Sequence, residues 1–135
     1  VTPETRELAR HRLGRSRQTL AEARTLLQVD SFNGAINRFY YSAYHAARAL
    51  LATRDLDTSR HSSVIALFQQ HFVKTGLLPT NAARALPRAF EKRLNGDYED
   101  FAEVTSDDAH RVAAEVEVFV DSCERLLEQE LLRAE

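Results

Sequence analysis

An all-α fold, an antiparallel bundle of four main helices plus one short helix, is what this sequence predicts. Three observations carry that expectation. Long stretches place small or apolar residues at alternating three- and four-residue intervals, the repeat of one helix face. Only four Gly and three Pro occur in 135 residues, too few for a turn-rich β fold. The single cysteine, Cys123, excludes an internal disulfide, and a chain of this length can bury a sizeable core without one. No linker, low-complexity tract or repeat is visible, so residues 1–135 read as one domain.

The first helix is predicted from Glu4 to Gln28, with Ala9, Leu13, Ser16, Leu20, Ala23 and Leu27 on one face and arginines over the remainder. Asp30-Ser31-Phe32-Asn33-Gly34 reads as a turn. The second helix is expected from Phe32 to Thr53, its apolar side formed by Ile36, Phe39, Ala43, Ala46, Ala47 and Leu50. Its alanines should let a neighbouring helix approach closely. A third helix, Ser62 to Lys74, carries Val64, Leu67, Phe68 and Phe72, with Gly76 and Pro79 after its end. Thr80 is expected to cap a short helix reaching Phe90 or beyond, disturbed by Pro87, with a break at Asn95-Gly96-Asp97. Ser106 is expected to cap the last helix, whose first turn holds Asp107 and Asp108 where the dipole favours anions. From Ala109 through Val112, Val116, Phe119, Val120 and Cys123 to Leu127 it has the cleanest apolar repeat in the chain. Cys123, within that repeat, is expected to be a buried, inert thiol.

Charge is segregated. Residues 1–96 hold 15 Lys and Arg against 7 Asp and Glu, a net +8, whereas residues 97–135 hold 3 against 13, a net −10. Such a split marks either a nucleic-acid face or two halves that pack together and neutralise each other. No signal pattern opens the chain, and no apolar run reaches the roughly 18 residues a membrane span needs, which predicts a cytoplasmic protein without membrane contact. Gly-rich phosphate loops, His-Glu-x-x-His and Cys-x-x-Cys are missing, and the histidines at 11, 45, 61, 71 and 110 lack ligand spacing. No metal and no cofactor is expected.

The second helix carries a further stripe. Arg38, Tyr41, His45 and Arg48 fall at i, i+3, i+7 and i+10 and so line one side. Two guanidiniums, a phenol and an imidazole together can bind a phosphate and supply a proton donor. The alternative is a polar seam in which Tyr41 and His45 bond within the bundle and the arginines pair with the acidic last helix. A second cluster, Arg93-Leu94-Asn95-Gly96-Asp97-Tyr98, reads as an anion site, a dimer contact or a structural Arg93–Asp97 pair. His61, beside Arg60, is a further candidate or an ordinary surface histidine.

At these residues the chain resembles a known family. Asn37-Arg38-Phe39-Tyr40-Tyr41-Ser42-Ala43-Tyr44-His45-Ala46-Ala47-Arg48-Ala49-Leu50-Leu51 is similar to the second-helix signature of minimal HEPN domains (higher eukaryote and prokaryote nucleotide-binding). His61-Ser62-Ser63-Val64, then Phe72-Val73-Lys74-Thr75-Gly76-Leu77-Leu78-Pro79, resembles the middle of one bacterial and archaeal branch. Arg93 with Asp97-Tyr98 matches that branch's late Arg…Asp-Tyr element. Together these stretches span most of Ala35 to Tyr98.

The resemblance implies a bundle that forms homodimers. It also implies a minimal nucleotidyltransferase partner and a place in toxin–antitoxin or defence modules. Active members of the family are metal-independent ribonucleases that use an Arg followed, after four to six intervening residues, by His. Counting from Arg93, that His is replaced by Tyr98, and a phenol with a reference pKa near 10 is a poor base at neutral pH. Arg38 and His45 satisfy the interval, but on the second helix rather than near the C-terminus. The expected function is therefore a non-catalytic or weakly catalytic partner of a nucleotidyltransferase. Arg38, Tyr41, His45, Arg48, Arg93, Asp97 and Tyr98 would bind its nucleotide or RNA. Two alternatives stand beside it. One is a ribonuclease toxin with Arg38 and His45 catalytic and the basic first helix tracking RNA; the other is a dimerisation module without ligand.

Overall fold

Helices make up the architecture throughout the described residues, 1–98 and 103–134, of a computed structural model. They are α1 (Pro3–Gln28), α2 (Phe32–Ala52), α3 (His61–Phe68), α4 (Ala85–Tyr98) and α5 (Ser106–Arg133). A single π-helical turn, Gln69–Val73, continues α3. The four long helices run up, down, up and down, as an antiparallel bundle predicts, but the short addition is α3 rather than the helix expected after Thr80, which becomes the 14-residue α4. No helix among the described residues is long and apolar enough to cross a membrane.

The predicted core faces point inward. Ala9, Leu20 and Ala23 of α1, Ile36, Phe39, Ala43, Ala46, Ala47 and Leu50 of α2, and Val116, Phe119, Val120, Cys123 and Leu127 of α5 are fully buried. Burial alone raises the Cys123 thiol pKa far above its usual range, so it stays protonated and unreactive. Small residues set the α1–α2 distance. Ser16 Oγ donates to Ser42 O at 2.7 Å and Ser42 Oγ returns the bond to Ser16 O at 2.9 Å. That reciprocal pair satisfies both buried hydroxyls where the backbones come close.

Three boundaries differ from expectation. Thr105, not Ser106, caps α5: its side chain accepts from Asp108 N, and Asp108 reaches back to the Thr105 amide. This reciprocal box needs an acid three residues on, which Thr105 has and Ser106 lacks. α4 begins at Ala85 rather than at Thr80, which leaves Pro87 in its first turn. There the missing amide costs no intrahelical bond, so proline starts the helix instead of disturbing it. Nor does α4 break at Asn95-Gly96-Asp97. It continues to Tyr98, spanned by an Arg93–Asp97 ion pair one turn apart. Gly96 serves close packing instead, since a Cβ there would collide with the Asn33 side chain.

Candidate functional site

Turning the apolar side of α2 into the core leaves its polar stripe beside α1. The facing residues of the antiparallel α1 repeat the stripe's spacing: Arg12, Arg15, Thr19 and Glu22 also fall at i, i+3, i+7 and i+10. Arg12 therefore meets Arg48 at one end and Glu22 approaches Arg38 at the other. Between them lies a cleft of about 340 Å³ lined by Arg15, Thr19 and Glu22 of α1 and Arg38, Tyr41 and His45 of α2.

His45 is 8% exposed and makes no hydrogen bond among the described residues. Its ring packs near Tyr44 and Tyr41, at 5.7 and 6.3 Å between centroids. Burial lowers its pKa to about 4, and the repulsion of Arg15, Arg48, Arg38 and Arg12 adds to that shift. The imidazole is thus neutral at physiological pH. Arg38 spends Nε and Nη2 on the neighbouring Asn37 side chain, at 3.2 and 2.9 Å, and its only carboxylate among the described residues is Glu22 at 3.9 Å. Its guanidinium lies 5.1 Å from the centre of the Tyr41 ring. Arg15 is exposed and has no ion pair among the described residues.

At the far end, Asp57, from the segment joining α2 to α3, places Oδ1 2.8 Å from Arg48 Nη2 and 3.2 Å from Arg12 Nη2. Arg12 also donates to Arg48 O at 3.3 Å. The hydrogen bond from Arg48 and the charge of both arginines hold the Asp57 carboxyl below the usual carboxylate range. Arg48 Nε is buried without an acceptor.

The late cluster lies on the other flank of α2. Arg93 sits over Tyr40 and Tyr41, at 5.4 and 5.1 Å, with Nε 3.3 Å from Asp97 Oδ2. The angle at that nitrogen does not form a hydrogen bond, so the contact is an ion pair and Nε remains a buried donor without an acceptor. His61 stacks on Tyr44 at 4.5 Å and also lies near Tyr40 and Phe90, at 5.6 and 6.2 Å between centroids. Tyr40 Oη and His61 Nδ1 are 2.5 Å apart. Burial raises the Tyr40 pKa and lowers that of His61, so the phenol donates to a neutral ring. These rings cover one another. Their stacking fixes Arg93 and the back of Tyr41 instead of offering a free aromatic face.

Structure therefore brings Arg38, Tyr41 and His45 into one groove, with Arg48 at its end, and holds Arg93 and Asp97 behind Tyr41. The side chain of Tyr98 lies outside the described residues. The second-helix arginines do not pair with α5, as the polar-seam alternative required; their carboxylates are Glu22 and Asp57. It is α1 that pairs with α5, through Arg10–Glu128, Arg17–Asp121, Arg17–Glu124 and Arg24–Glu117. Those three arginines are thereby charge-compensated within the fold, while Arg15 of the same helix is not. Sequence reasoning passed over Arg12, Arg15 and Asp57. The matching spacing on α1 was present but hidden among arginines on every side of that helix; Asp57 carries no periodic signal. Among the described residues no group of three His, Cys, Asp or Glu side chains could hold a metal ion.

Comparison with known proteins adds a family. The HEPN domain matches residues 9–126. A UPF0332 protein of Thermotoga maritima is 35% identical over 114 residues, 84% of this chain and 86% of that protein. Two proteins of Methanocaldococcus jannaschii are also similar. "Putative toxin MJ0605" is 30% identical over 112 residues, 83% of each chain. "Putative toxin MJ0142" is 24% identical over 122 residues, 90% of this chain and 83% of that one.

Proposed function

The chain belongs to the HEPN family, and on that premise we propose that it is a toxin-type HEPN protein whose α1/α2 groove binds the backbone of RNA, with little catalysis of its own. It works as a homodimer beside a minimal nucleotidyltransferase. One observation carries the proposal: Arg15 and Arg38, with few carboxylates to neutralise them, flank a neutral imidazole that has no hydrogen-bond partner among the described residues. A phosphate entering there meets two guanidiniums. Burial is the main reason His45 stays deprotonated, and the anion's charge offsets the guanidinium repulsion that adds to it, which favours His45 as a third donor as the anion arrives. The names of the two Methanocaldococcus relatives support the toxin class.

Weak catalysis follows from the same numbers. With its pKa at about 4, His45 is a feeble acceptor for the proton of a 2′-hydroxyl. Tyr98 offers no better base. Because Arg38 and His45 share one groove, a metal-independent ribonuclease remains the second reading, with Arg38 on the scissile phosphate and His45 as base.

The test uses a labelled single-stranded RNA in chelator with wild type, Arg15→Ala, Arg38→Ala and His45→Ala. Binding by wild type should weaken about tenfold in each arginine variant, and the RNA should stay intact. Cleavage that disappears in His45→Ala would establish the ribonuclease instead. Binding indifferent to Arg15 and Arg38 would remove the groove from consideration. Co-expression with a nucleotidyltransferase encoded beside it should yield a complex that survives purification.

A further inference from the structure

The Arg12–Asp57–Arg48 cluster inverts the usual ion pair. Its cations are the buried partners, with side chains 11% and 21% exposed, and its anion is the exposed one, at 61%. A buried and a half-buried guanidinium brought this close need a negative charge between them. One carboxylate oxygen, Asp57 Oδ1, supplies it, bonded to both Nη2 atoms as a single phosphate oxygen would be. Arg48 uses only Nη2 in that contact, so much of its donor fork is unspent.

Asp57 belongs to no helix; it stands in the segment between α2 and α3 and reaches the fork by its tip. The fork also lies in line with the groove. From Arg38 to Arg48 the stripe extends over ten residues of α2, about 15 Å, with His45 between. An RNA backbone bound at Arg15 and Arg38 runs along the stripe toward this carboxylate.

Building on the proposal that the α1/α2 groove takes RNA, we infer that the Arg12–Arg48 fork is a second phosphate subsite, which Asp57 occupies until a backbone phosphate displaces it. Asp57 is then a built-in competitor. It keeps Arg12 and Arg48 compensated in the free protein and gives them up to RNA.

Asp57→Asn tests this, because the amide keeps the shape and loses the charge. With the single-stranded RNA probe, the variant should bind about tenfold more tightly than wild type, because no carboxylate has to be displaced. Arg48→Gln in the same background should erase the gain. Asp107→Asn, which removes a charge at the start of α5, should not reproduce it. Inorganic phosphate gives an arm independent of RNA. It should raise the melting temperature of Asp57→Asn by about 3–6 °C more than that of wild type, a change that also shows the variant folds.

Wild-type affinity in Asp57→Asn, or an equal gain in Asp107→Asn, would overturn the inference. If Arg38→Ala still weakened RNA binding, the groove itself would stand. Selective stabilisation by phosphate without RNA binding by any variant would keep the anion subsite and remove RNA as its ligand. Absence of both effects would remove the subsite.

Discussion

Burial, with four nearby guanidiniums adding to it, opposes a proton on His45, and that opposition has a measurable consequence for stability. The folded pKa of about 4 lies below the unfolded value near 6.5. Between those values the unfolded chain binds the proton and the folded one does not, so stability falls as pH drops through that window and is level above it. Up to about 2 kcal/mol should be lost by pH 5 from this residue alone. Urea titrations at pH 7 and pH 5 should show a larger drop for wild type than for His45→Gln, the difference isolating His45 from His61, which shifts the same way. An equal drop in both proteins would mean that His45 is solvated. On the opposite flank, Tyr40→Phe removes the donor to His61 Nδ1. It should cost about 1–2 kcal/mol in a denaturant titration, the penalty for stranding a part-buried acceptor. A neutral result would place water at that nitrogen.

Helix ends decide the next scale. α1 and α2 finish in the same way, with Asp30 and Asp55 in the left-handed region at φ 59° and 56°. The following amides reach back five residues, Ser31 N to Leu26 O and Leu56 N to Leu51 O, the Schellman pattern that glycine suits best. Aspartate there is unfavourable for two reasons, its Cβ and its negative charge at a helix C-terminus. Asp30→Gly should therefore raise stability by about 0.5–1 kcal/mol, read as a higher melting temperature. A lower one would reveal an unrecognised contact of the carboxylate. At the start of α5, Thr105→Ala should cost about 1 kcal/mol. Ser106→Ala should cost less than about 0.5 kcal/mol. Reversed magnitudes would restore Ser106 as the cap. That reassignment comes from partners rather than propensity: Ser caps somewhat better than Thr in isolation, and the position of Asp108 decides for Thr105.

At the scale of the whole molecule, the segregated charge of the sequence becomes an interhelix ladder. Arg10, Arg17 and Arg24, seven residues apart, meet Glu128, Asp121, Glu124 and Glu117 along the antiparallel α1–α5 seam. These pairs are half-exposed, and each contributes less than about 1 kcal/mol. What they do is remove three arginines from any role toward RNA. Arg17→Gln should accordingly leave RNA affinity within about twofold of wild type while Arg15→Ala weakens it. Equal losses in the two variants, measured by polarisation with the same labelled RNA, would show that α1 contacts RNA with its α5-facing side. By itself the sequence determined the all-helical fold, the core faces of α1, α2 and α5, and the stripe Arg38, Tyr41, His45 and Arg48. All of these follow from a period of 3.6 residues, which is a local property of the chain. Only the tertiary structure decided which arginines are neutralised, which α1 residues face the stripe, and that Asp57 closes one end of it. Ion pairing depends on which side chains meet across helices, and spacing along one helix says nothing about the helix opposite.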